Sequence, residues 1–117
     1  ENTVLMTPAE TRIFDPLPST RARELLVDLC ALFVEGSRLP LPVLPRCSFA
    51  WAATEDRSKA VGKAWGAWFN QYGGGGDAGD RYLDLVLRYC NPPIDDPRFG
   101  ELADRLYRHA LDASHNP

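Results

Sequence analysis

Two adjacent acid pairs, Glu55–Asp56 and Asp95–Asp96, are the groups in this chain best placed by type to hold a divalent cation. A nuclease built on such a cation usually sets a lysine two residues after one of its acids. The chain has two lysines, and the residues two before Lys59 and Lys63 are Arg57 and Val61, so that pattern is absent. Both acid pairs also suit the start of a helix, where a carboxylate meets the positive end of the helix dipole. His109 falls near the end of the last predicted helix, where a solvated or capping role is expected, and His115 falls in a terminal segment expected to fray. Ser19, Ser48 and Ser58 have no Gly-x-Ser-x-Gly context for a nucleophile elbow. Cys30, Cys47 and Cys90 are odd in number and far apart, with no C-x-x-C pair. That usage reads as reduced, partly buried thiols and not as a zinc site or a disulfide framework. The run GGGGDAG lacks the Gly-Lys-Ser/Thr that closes a phosphate-binding loop, and reads as a flexible linker or surface loop. The expectation is therefore no catalytic residue, no metal and no cofactor.

The elements that would position these residues are mostly helical. TVLM and TRIF are short β-favouring runs separated by Pro8, so an N-terminal hairpin is expected. In STRARELLVDLCALFVEG, Ser19 or Thr20 can cap a helix and Gly36 can end it. Ala22, Leu25, Leu26, Leu29, Leu32 and Phe33 recur along it at helical spacing. A second helix is predicted from TEDRSKAVGKAWGAWFNQY with Thr54 as cap and Ala60, Val61, Ala64, Trp65 and Trp68 on one face. Gly62 and Gly66, four apart, would permit close approach of another element. Asp80 should cap a third helix carrying Tyr82, Leu83, Leu85, Val86 and Tyr89. Asp96 followed by Pro97 should start a fourth, with a stripe of Phe99, Leu102, Ala103, Leu106, Tyr107 and Ala110. The fold class is mainly α: about four amphipathic helices with a short extended or β N-terminal segment, read as a single domain over residues 1–117.

The segment EGSRLPLPVLPRCSFAWA stands apart. Pro40, Pro42 and Pro45 exclude a regular helix or ladder through that run and bias their predecessors toward extended backbone. An extended strap that presses Leu39, Leu41, Val43 and Leu44 onto a neighbour satisfies those constraints. It is either a crossover on the chain's own core or a docking strap for another domain. Trp51, Trp65 and Trp68 are the large anchors, each contributing about 1.5–3 kcal/mol or more when buried. They are read as core packing, or as interface where exposed.

The 117 residues suffice for one core, and 44% hydrophobic with 25% charged residues is ordinary for a globular protein and wrong for a disordered one. A formal net charge of −3 argues against an autonomous nucleic-acid binder. Arg38, Arg46, Arg57, Lys59 and Lys63 are candidate DNA contacts, but the excess of basic over acidic residues around them is too small for a DNA footprint. No apolar run approaches the roughly 20 residues needed to cross a bilayer, and no signal peptide is visible. No membrane association and a cytoplasmic location are expected.

Read in order, the chain resembles the carboxy-terminal end of the RecC family, the gamma subunit of exodeoxyribonuclease V. The motifs that carry the resemblance are IFDPLPSTRARELLVDLCALFVEGSRLPLPVLPRCSFAWA, AVGKAWGAWF, GDRYLDLVLR and DDPRFGELADRLYRHAL, over about residues 13–111. The glycine run after Tyr72 departs from the family pattern, which more often has a Gly-Glu-type loop there. The resemblance implies a C-terminal fragment of a larger subunit in a helicase–nuclease complex that processes double-strand DNA ends for recombinational repair. It also implies the helical tail of a degenerate nuclease-like domain without metal ligands, RecB-like and RecD-like partner subunits, and DNA contact through the whole complex. Leu39, Leu41, Val43, Leu44, Trp51, Trp65 and Trp68 are then candidate partner-docking residues. The alternatives are a DNA-contacting helical domain, an unrelated protein-interaction module, or a small enzyme with an unrecognised site.

Overall fold

The computed structural model describes residues 2–70 and 75–115. It is mainly helical with a short N-terminal hairpin, as expected. The chain divides into two compact units, one of Glu1–Leu41 with His109–Pro117 and one of Pro42–Arg108.

In the first unit, strands β1 (Thr3–Met6) and β2 (Thr11–Phe14) pair antiparallel with Thr3 opposite Phe14 and Met6 opposite Thr11. Thr7 makes the turn: its amide donates to the Glu10 carbonyl at 2.8 Å, and its hydroxyl accepts from the Glu10 amide at 3.0 Å. Two strands alone are marginal in water, and a third is supplied from the other end of the chain. Strand β3 (Ser114–His115) pairs with β2. Arg12 reaches Ser114 Oγ at 3.2 Å, and the Asp15 amide donates to the Ala113 carbonyl at 3.0 Å. His115 is thus in a strand and not in a frayed tail, because backbone pairing with Ile13 holds it.

Helix α1 (Ser19–Arg38) is longer than predicted at its far end. Ser19 is already helical and the cap position is Pro18, with no side-chain cap. Gly36 lies inside the last turns. A Cβ there would sit 3.3 Å from Leu41 Cδ1, so the glycine leaves room for Leu41 to fold back on the helix and does not terminate it.

The second unit contains a helix that the prolines hid. Helix α2 (Pro45–Ala52) follows the strap directly. Pro45 is its first residue, the one place where a missing N–H costs nothing. Eight residues are too few to hold a helix by themselves, and α2 has no capping side chain at Leu44. Its ends are satisfied by its own Ser48 and by residues from elsewhere. Leu44 donates its amide to Ser48 Oγ at 3.0 Å, and Asp77 accepts from the Arg46 and Cys47 amides at 3.1 and 2.9 Å. At the other end Arg108 donates to the Ala52 carbonyl at 3.1 Å.

Helix α3 (Arg57–Phe69) is capped by Asp56, not Thr54, whose hydroxyl instead donates to the Ala50 carbonyl at 2.7 Å. Ala60 and Ala64 are fully buried where α3 packs with α2. Gly62 and Gly66 meet nothing. The close approach falls on the alanines, one face round from the glycines. Helix α4 (Arg81–Leu87) is capped by Asp80, which accepts from the Tyr82 and Leu83 amides. Only Leu83 and Leu87 pack on the core, so Tyr82, Leu85 and Val86 face outward with Tyr89 beyond them. Helix α5 (Phe99–Asp112) starts two residues later than the Asp-Pro signal suggests. The Asp96 carboxylate caps a turn at Arg98, and the helix follows. Phe99, Leu102 and Ala103 are buried along its stripe, while Ala110 is exposed.

The core of this unit is Leu44, Cys47, Ala64, Ile94 and Phe99, with Trp51, Trp65, Trp68, Leu83 and Leu87 packed around it. Trp51 meets Phe99 edge-on at 5.8 Å between centroids, a favoured aromatic geometry. Its indole Nε1 is buried without a partner. Residues 75–77 are not a flexible linker. Gly75 adopts φ of 88°, and a side chain at Gly76 would collide with the Ala67 and Trp68 carbonyls. Residues 73 and 74 of the glycine run lie outside the described residues.

Candidate partner-docking surface

The seven docking candidates do not form one exposed patch. Leu39, the C-cap of α1, is 66% exposed. Leu41 and Val43 are half-buried. Leu44 is 1% exposed and belongs to the chain's own core, a correction to its assignment as a docking residue. It turns inward because its backbone opens α2. Trp51, Trp65 and Trp68 are half-buried against that same core, and Trp65 also stacks on Phe69 at 5.7 Å. The strap spans the boundary between the two units, and its Leu44 end packs into the core of the second.

The larger apolar exposure is on α1, where the sequence pattern predicted burial. Leu32 is buried, yet Leu26, Val27 and Phe33 are exposed by more than half and Val34 by half. Leu26, Leu29 and Phe33 follow at three- and four-residue spacing, so they share a stripe. Cys30, Ala31, Val34, Glu35, Arg38 and Leu39 line a shallow depression toward the helix end. Strand β1 adds Val4, Leu5 and Met6, all exposed. The exposed apolar residues of the α1 stripe lie together on one side of the helix, the kind of surface that partners commonly cover. The sequence showed the stripe but not which part of it the chain's own residues cover.

The basic candidates lie on three different helices. Arg57 pairs with Asp104 of α5 at 3.1 Å, and Lys59 pairs with Asp56 at 3.0 Å. Lys59 and Lys63 share one side of α3, whereas Arg57 projects roughly opposite. The Arg46 side chain is on α2, and Arg38 ends α1 in the other unit.

Among the described residues no three His, Cys, Asp or Glu side chains gather as a metal site. Of the two acid pairs, Asp56 caps α3 and Asp96 caps the turn before α5. Hydrogen bonds from the Ser58 hydroxyl, then Lys59, hold the Asp56 carboxyl below the usual range. Those from Arg98 do the same for Asp96. His109 Nδ1 lies 3.4 Å from the Arg21 guanidinium. All three cysteines are free, and Cys30 and Cys90 are exposed instead of partly buried. Cys47 is buried, and desolvation together with the Asp77 carboxylate pushes its thiol well up, away from the thiolate form. No described helix is long and apolar enough to cross a membrane.

No curated protein and no solved structure matches the chain. The motif order resembling RecC runs to about residue 111, while the family match stops short of α3, α4 and α5. Over residues 3–56, which hold the hairpin, α1, the strap and α2, the chain matches the family described as RecC C-terminal domain, the family its sequence resembles.

Proposed function

We propose that the chain is the non-catalytic structural and partner-docking C-terminal domain of a RecBCD-type helicase–nuclease subunit, cytoplasmic and acting in repair of double-strand DNA breaks by homologous recombination. Its partners are RecB-like and RecD-like subunits, and it meets DNA through the whole complex. The observation that carries this reading is the exposed apolar stripe of α1, Leu26–Leu29–Phe33, inside the span matched to the RecC C-terminal domain. Asp56 and Asp96 cap turns and His115 lies 3.7 Å from the Asp15 carboxylate, which supports a structural use of these three groups. Direct DNA contact is the weaker reading, because Arg57 and Lys59 are already paired with Asp104 and Asp56.

The test is Leu26→Asp with Phe33→Asp in the full-length subunit. Both side chains are exposed, so the fold tolerates the change. Burial of either is worth about 1.5–3 kcal/mol, and the double change should weaken co-purification with the partner subunits by roughly 10- to 100-fold or more. ATP hydrolysis by an isolated motor subunit should not change. Normal assembly by the double variant would refute the docking role.

A further inference from the structure

Helix α2 depends on a carboxylate delivered from 30 residues downstream. Asp77 is 4% exposed, and one of its oxygens takes the Cys47 amide at 2.9 Å and the Arg46 amide at 3.1 Å. These are two of the N–H groups that a helix start leaves without partners. A carboxylate on them makes a charge-assisted cap at the positive end of the dipole. The loop that carries Asp77 is itself fixed by backbone. Gly76 sits against the Ala67 and Trp68 carbonyls where no side chain fits, and the Gly79 and Asp80 amides close a 3-10 turn over Asp77 at 3.0 and 3.1 Å. The same carboxylate raises the Cys47 thiol directly and, less than burial does, the Tyr107 phenol.

We infer that Asp77 is a conformational latch: the turn over residues 75–80 and the first turn of α2 close together and open together, so that release of the turn frees the strap at Leu44 and Pro45. The physical reason is reciprocal dependence. α2 has no cap of its own at Leu44, and an unpartnered buried carboxylate is too costly to leave in place. Neither side of the contact is satisfied without the other. This inference rests on the local geometry alone and is independent of the family assignment.

Residue-resolved native-state hydrogen exchange on the chain, at a series of low urea concentrations, tests it. The Arg46, Cys47, Gly79 and Asp80 amides should share one opening free energy and a small urea dependence, below that of the buried Ala60–Ala64 turn of α3. Asp77→Ala should speed exchange at all four by about tenfold or more, as loss of a charge-assisted cap implies. Asp77→Asn, which keeps one acceptor oxygen, should fall between. If the variants fail to fold, the wild-type pattern decides. Independent opening of the two pairs, opening only with global unfolding, or wild-type protection of Arg46 and Cys47 in Asp77→Ala would each overturn the latch.

Discussion

Asp56, Asp77, Asp80 and Asp96 each place a carboxylate on backbone amides at the start of a turn or helix. These four acidic side chains serve as anions at the positive ends of helices and turns. Asp56 and Asp96 have lowered carboxyl pKa values, so each binds protons less readily folded than unfolded. Their contribution to stability is complete above the ordinary carboxylate range near 4 and fades as pH falls through the lower folded values. Carboxyl chemical-shift titration should find both midpoints below the reference of about 3.9. Asn in place of either should flatten the acid side of the stability profile. A midpoint at or above the reference for both would contradict these caps. Because both groups are solvent-exposed, the effect on total stability is small.

At the scale of elements, small residues have opposite meanings in α3 and α5. Gly62 and Gly66 sit in open helix interior, so alanine at either should stabilise the chain by up to about 1 kcal/mol, through helix propensity alone. Gly100 lies under the Trp51 indole, where an added Cβ would overlap the ring. Gly100→Ala should destabilise by about 1–3 kcal/mol, the usual cost of overpacking, and perturb Trp51 fluorescence. Thermal or urea unfolding of the three variants checks both signs, and a stabilising Gly100→Ala would refute the Trp51 packing. Helix α2 shows the same contrast between local and distant causes. Its sequence offers Pro45 as a start, yet its caps come from Asp77 and Arg108.

For the whole molecule, the relevant fact is that the two ends of the chain meet in one three-stranded sheet. Strand β3 is two residues long and is held by β2 and by the Arg12–Ser114 contact. Ending the chain after Asp112 should therefore loosen the hairpin, raising exchange of the Asp15 amide by about tenfold or more as its bond to Ala113 is lost. The buried core around Phe99 lies in the other compact unit and should keep its protection. Unchanged exchange at Asp15 would show that β3 contributes nothing. The uncovered stripe on α1 belongs to this scale too, since a 20-residue helix with Phe33 and Leu26 outward has more apolar surface than this unit uses.

Local chemistry alone fixed the mainly helical class, the TVLM–TRIF hairpin, the Asp80 cap and the Phe99–Leu102–Ala103 stripe, because each depends on residues within one or two turns of one another. The RecC-like motif order was legible for a different reason, since it is a property of the linear sequence itself. Tertiary structure alone decided that Pro45 opens a helix, that Leu44 is core, that the end of the glycine run carries a buried cap, and that His115 is paired. Each of those depends on a partner 30 or more residues away, and neither propensity nor periodicity contains such a distance. Which half of the α1 stripe stays uncovered was likewise a matter of what packs on it, since an apolar side chain at helical spacing reads the same whether its neighbour lies in the same chain or in another.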